Sequence, residues 1–133
     1  MEGKAPRVDG PPGVMYGLPK GAISVKMTDI PFGVTDWSQV ERTEHTGESG
    51  TASWRTRTFG DIRVRMVEYS PGYVADHWCE KGHILFCVDG EMTTELRDGR
   101  TFTLTPGMSY QVADKAEPHR SSTTRGATLF IVD

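Results

Sequence analysis

A chain of 133 residues, with 15 Lys and Arg against 18 Asp and Glu, fits one domain, and a domain of this size hides roughly two-thirds of its unfolded surface. The mildly acidic balance argues against nonspecific binding to nucleic acid or to an anionic membrane, since either calls for a basic excess. No apolar run approaches the roughly 20 residues of a membrane-spanning helix, the N-terminus lacks a secretory pattern, and two cysteines suit a reducing compartment. The expectation is a soluble cytoplasmic protein.

Residues 1–26 carry Pro6, Pro11, Pro12 and Pro19 among several glycines without sustained periodicity. They read as an arm, either flexible or laid across a neighbouring subunit, ahead of a domain over 27–133. After Trp37 the pattern is a series of short strands. Ser53–Phe59 and Ile62–Tyr69 flank Gly60-Asp61 as a hairpin, and Ile62, Val64 and Met66 share one face at period two. Val74–Cys79 and His83–Val88 follow as a second hairpin around Glu80-Lys81-Gly82. Glu91–Arg97, Arg100–Leu104, Met108–Ala113, His119–Ser122 and Ala127–Val132 complete the series, divided by Asp89-Gly90, Asp98-Gly99 and Pro106-Gly107. Many short strands with glycine turns and no long amphipathic helix mean an all-β sandwich or barrel.

Three of the four histidines lie in this region. His77 and Cys79, two apart on one predicted strand, point to one face about 6 to 7 Å apart. A tight turn at Glu80-Lys81-Gly82 places Cys79 opposite His83, with His77 diagonal to it. His119 completes the cluster if its strand lies beside this hairpin. Converging imidazoles suit a transition metal, and the alternative is three separate histidines packed in a β-core.

The stretch Gly72-Tyr73-Val74-Ala75-Asp76-His77-Trp78-Cys79-Glu80-Lys81-Gly82-His83, with Gly90 beyond it, resembles the first cupin motif. His77 matches its first histidine, Cys79 replaces the second, and His83 replaces the acid. Gly107 through Pro118-His119 resembles the second motif, with His119 at its histidine and Thr123 where an Asn is common. The blocks Ala75–Ile84, Ser109–Val112 and Pro118–Ser121 are specifically similar to small bacterial cupins named for an Asp-His-Cys-Trp motif, a group without a settled activity. The resemblance runs from about residue 28 to the end. It implies an RmlC-like jelly-roll barrel, a double-stranded β-helix, holding one divalent metal (Fe, Zn, Ni or Mn) on His77, His83 and His119.

Cys79 divides the expectations. As a fourth ligand it closes a tetrahedral shell that suits structural zinc. Turned aside, it leaves three imidazoles with open positions, as an iron, nickel or manganese enzyme needs; cupins with three histidines on iron include thiol dioxygenases. The leading expectation is a metal-dependent enzyme acting on a small molecule in the barrel. It would be dioxygenase-like, or else an isomerase or lyase. The alternatives are a noncatalytic metal or ligand-binding module and a zinc-stapled barrel.

Cys87 is expected in the core beside His83 and Leu85, opposite Ala75 and too far from Cys79 for a disulfide. Asp76 and Trp78 should face away from His77, with Asp76 a candidate to orient an imidazole. Arg55, Arg57, Arg63 and Arg65 alternate on one hairpin and read as a single basic face. That face is either solvated and balanced by Glu68, Glu91 and Glu95, or, through Arg63 and Arg65, an anion-binding wall. Gln111 rather than Tyr110 is expected to look into the barrel. His45 is placed in a polar surface loop. Sheet edges and a long arm point to a homodimer.

Overall fold

The computed structural model describes residues 27–133, and the expected arm over 1–26 lies outside them. A 3-10 turn at Trp37–Gln39 is capped by Asp36, whose carboxylate accepts from the Ser38 N–H at 3.1 Å. The strands are β1 (Arg42–Thr46), β2 (Thr51–Phe59), β3 (Ile62–Tyr69), β4 (His83–Gly90), β5 (Met92–Leu96), β6 (Thr101–Leu104), β7 (Ser109–Val112), β8 (His119–Ser122) and β9 (Ala127–Val132). They form a six-stranded sheet, β1-β2-β3-β9-β4-β7, and a three-stranded sheet, β6-β5-β8. Every strand pair is antiparallel. The last strand is inserted between β3 and β4, which turns a simple meander into a jelly roll.

The β2–β3 hairpin forms where expected, with Phe59 opposite Ile62. Its Gly60 has φ +59°, a conformation that costs glycine little and that a two-residue hairpin turn needs at its first central position. The second hairpin does not form. Cys79 bridges His119 instead, with amide–carbonyl hydrogen bonds of 2.7 and 3.0 Å. Val74 bridges Ser122, so this segment runs along the edge of β8. His83 opens β4 in the other sheet, opposite Val112. Glu80-Lys81-Gly82 is therefore a crossover between sheets. Gly82 permits the crossing, because a Cβ there would lie 2.5 Å from the Asp114 backbone nitrogen and 2.7 Å from the Ala113 carbonyl carbon.

His45 is likewise not in a loop. It sits on edge strand β1, exposed, with its ring 3.9 Å from that of Trp54.

The interior divides along the barrel axis. Ala52, Val67, Leu85, Cys87, Met92, Leu104, Ala127, Leu129 and Ile131 make the apolar core. Burying such side chains contributes about 1.5–3 kcal/mol for each large one. Along the same strands, toward the start of β3 and β4 and the end of β9, the inward positions become Arg65, His83 and Asp133. The period-two alternation that faces Leu85 and Cys87 inward does the same for His83. The sequence thus builds an apolar plug under a polar mouth. Cys87 is fully buried, as expected of a core thiol, but stands opposite Leu129 rather than Ala75. Both cysteines are free.

Candidate metal centre and its cavity

Cys79, His83 and His119 bring one donor atom each to within 4.8 Å of one another. The cluster straddles the sheets: His83 comes from β4, while His119 and Cys79 are hydrogen-bonded neighbours beside the smaller sheet. Nε2 of His119 lies 3.1 Å from Nε2 of His83. His119 Nδ1 is 2.8 Å from the Glu117 carbonyl oxygen; a carbonyl only accepts, so Nδ1 carries the hydrogen and Nε2 presents a lone pair. His83 Nδ1 lies 3.6 Å from Oδ2 of Asp133, which favours the same tautomer. Both lone pairs therefore point into the space beside the Cys79 thiol. The Tyr110 hydroxyl at 3.0 Å supplies a hydrogen to His83 Nε2, and the Cys79 thiol approaches the Lys81 carbonyl at 4.0 Å as well as His119.

The electrostatics follow. Burial, then the neighbouring His119, depresses His83 to about 4, so it is a neutral imidazole near neutral pH, the state a metal ligand needs. The Cys79–His119 hydrogen bond lowers the thiol and raises the imidazole. A neutral His83, the inward Nε2 of His119 and a thiol lowered from its ordinary value fit a borderline-soft divalent metal.

His77 lies outside this group. The chain bends at Asp76–His77, which breaks the strand alternation and turns both residues outward. The imidazole is 74% exposed, and its Nδ1 meets Asp76 Oδ1 at 2.6 Å. Asp76 does orient an imidazole, one that lies outside the cluster. His77 still lines the mouth of the cavity above the cluster.

That cavity, about 340 Å³, is walled by Trp54, Tyr69, Tyr73, Trp78 and Tyr110 along with the cluster. Tyr110, not Gln111, faces it: Tyr110 stands opposite Leu85 and so shares its inward direction, while the exposed Gln111 stands opposite the outward Ile84. The alternation in Ser109-Tyr110-Gln111-Val112, polar on one face and aromatic or apolar on the other, was the available signal.

The four arginines do not share a face either. Arg63 and Arg65 stand opposite Thr58 and Thr56 on the inner side, whereas Arg55 and Arg57 stand opposite Met66 and Val64 on the outer. Arg55 donates to the carbonyls of Trp37, Ser38 and Val40. Arg63 and Arg65 line the cavity and meet Asp133, not the expected glutamates, at 2.8 and 3.0 Å. Asp133 escaped the sequence reading because nothing local distinguishes it from a surface aspartate. Trp78 is half-buried between the guanidiniums of Arg97 and Arg120, 4.8 and 5.0 Å from its ring centre.

No family model matches the chain, and no curated protein matches it. Among solved structures it is similar to an RmlC-like cupin from Shewanella frigidimarina (TM-score 0.62, 19% identity, 79% of this chain and 92% of that one). It is also similar to ectoine synthase from P. lautus (0.62, 18%, 76% of each chain). A third is the polyketide cyclase RemF from Streptomyces resistomycificus (0.61, 21%, 77% and 78%). At these identities the likeness is one of fold, and the fold is the cupin jelly roll.

Proposed function

We propose, for a chain that folds as a cupin, that the barrel mouth binds one divalent transition metal through Cys79, His83 and His119 and that this centre acts on a small molecule in the adjoining cavity. The observation that carries this reading is the convergence of two imidazole lone pairs, 3.1 Å apart, beside a half-buried thiol. When bound, the metal supplies a Lewis acid or a redox centre.

The chain's own residues shape the site around it. The Glu117 carbonyl orients His119, the Asp133 carboxylate lies 3.6 Å from His83 Nδ1, and outer partners of this kind fix tautomer and ring direction. Tyr110 places a hydroxyl beside the His83 imidazole, and burial holds its proton firmly on the oxygen, so it acts as a hydrogen-bond donor near neutral pH. The aromatic walls restrict water. Reaction classes served by such a site include dioxygenation, isomerisation and elimination, and dioxygenation heads them because open positions beside nitrogen and sulfur ligands suit iron.

The role of His77 separates an enzyme from a zinc staple. Held outward by Asp76, it leaves the metal an open position; swung in, it completes four ligands and closes the shell. The cavity opening on the cluster favours the open form. Exposed apolar side chains on the outer face of the larger sheet, Ile84, Phe86 and Val88, support the expected homodimer.

The test is elemental analysis of protein purified without chelator, beside His83→Ala, His119→Ala and His77→Ala. One equivalent of iron, nickel or manganese, lost in the first two and kept in His77→Ala, is the expected result. Zinc lost in all three points to the closed structural shell. No metal after reconstitution rejects the centre.

A further inference from the structure

We propose that the cavity recognises a small monoanionic organic carboxylate through Arg63 and Arg65. The proposal deepens the metal-centre reading, and rests on it for the reacting group the carboxylate sits beside. The first observation is charge. The chain carries a formal charge of −3, yet this cavity is lined by Arg63, Arg65, Lys81 and Arg120 against Glu80 and Asp133.

The rim neutralises itself while the floor does not. Arg120 faces Glu95 at 3.5 Å and Glu48 at 3.9 Å. On the floor, one carboxylate serves two guanidiniums. Asp133 accepts from Arg63 Nε at 2.8 Å on one oxygen, and from Arg63 Nη2 at 3.1 Å and Arg65 Nη2 at 3.0 Å on the other. His83 Nδ1 approaches that second oxygen too. Among the described side chains there, two guanidiniums share one carboxylate, which leaves one positive charge in surplus.

Arg65 localises that surplus. Its side chain is 8% exposed, and a guanidinium has five N–H donors. Among the described residues it makes one side-chain hydrogen bond, to Asp133, and its buried Nε has no partner. Its guanidinium stacks 4.4 Å above the Trp54 ring, which fixes its plane but cancels no charge. Unpaired buried charge is costly. A planar carboxylate is the partner that a guanidinium matches best. A single surplus charge fits a monoanion better than a phosphate dianion. The walls of Trp54, Tyr69, Tyr73 and Trp78 then suit an apolar or aromatic body.

The test titrates the full chain, metal-free after chelator dialysis and again metal-loaded, with propionate, benzoate and hydrocinnamate beside the corresponding amides. Binding is read by calorimetry and by quenching of tryptophan fluorescence. Carboxylates should bind at least about tenfold more tightly than amides, the margin of one charge-assisted pair. That preference should vanish in Arg65→Gln, survive partly in Arg65→Lys and be unchanged in the outward-facing Arg57→Gln. Arg65→Lys keeps the test valid if Arg65→Gln does not fold. Equal binding of acid and amide, no binding of any probe, or acid binding that needs the metal and ignores Arg65 overturns the proposal. The two readings fail separately: Arg65-dependent acid binding by a chain that retains no metal defeats only the metal centre. One equivalent of metal without acid preference defeats only the carboxylate site.

Discussion

His83 and His119 are 36 positions apart in the chain, yet their Nε2 atoms lie 3.1 Å from each other. One ring is carried by the six-stranded sheet and the other by the three-stranded sheet, so the pair spans the two layers at the barrel mouth. A metal at this point staples the sheets while remaining open to the cavity. Binding there stabilises the folded state by mass action, since the unfolded chain has no preformed site. Stripping the metal should lower the unfolding temperature of the native chain and leave His119→Ala unaffected, as differential scanning calorimetry with and without chelator would show.

The cysteines should differ sharply in reactivity. The hydrogen bond to His119 lowers the Cys79 thiol, whereas burial raises that of Cys87, whose residue is 0% exposed. Because the thiolate is the nucleophile, a chromogenic disulfide reagent should modify one thiol quickly in metal-free protein and the second only after denaturation. Cys79→Ser should abolish the fast phase. Metal should suppress it in the parent chain; a fast phase unchanged by metal would remove Cys79 from the ligand set.

Asp133 is 1% exposed between Arg63 and Arg65. Burial raises its carboxyl, but the hydrogen bond from Arg63 and the charges of both arginines outweigh it and hold the group low. Replacing Asp133 with Ala strands a buried guanidinium, at a cost of about 3–5 kcal/mol. Urea denaturation should show a loss of unfolding free energy of that size in Asp133→Ala, with little change in Arg57→Gln.

Glu91 offers a pH test away from the metal. Its Oε1 accepts from the Thr123 hydroxyl and the amides of Thr124 and Arg125, at 3.0, 3.0 and 3.2 Å. Burial raises its carboxyl, yet these bonds together lower it below its usual value of 4.5. A carboxylate held low in the folded state contributes stability that is complete above the unfolded value and is lost as pH falls through the folded one. Glu91→Gln should therefore cost about 1–2 kcal/mol at pH 7. The difference should shrink in thermal melts as the pH is lowered below 4.5, and a penalty independent of pH would contradict the assignment.

Ile84, Phe86 and Val88 are 57%, 41% and 43% exposed on one face of β4. Phe86 stands beside Phe130, which stands beside Met66, so the apolar strip crosses three strands. If this face pairs with a second copy, light scattering should give a dimer for the parent chain and a monomer for Phe86→Asp. A monomeric parent would end the homodimer proposal.

The sequence by itself determined most of the strands and the alternation along them. Alternation with a period of two is local, and the glycine turns are local too, so β2, β3, β4 and the inward direction of His83 and Cys87 were legible without any partner. The motif spacing also singled out His77, His83 and His119, with Cys79 as a possible fourth. Only the tertiary structure decided what those faces meet. The bend at Asp76–His77 depends on the segment being bridged at Val74 and Cys79 to β8, and this moved His77 from the centre to its rim. The division of the arginines into an inner and an outer pair, the choice of Tyr110 over Gln111, and the junction of Asp133 with Arg63, Arg65 and His83 all depend on strand order. That order is fixed by long-range burial, above all by β9 seating itself between β3 and β4, and no short window of sequence contains it.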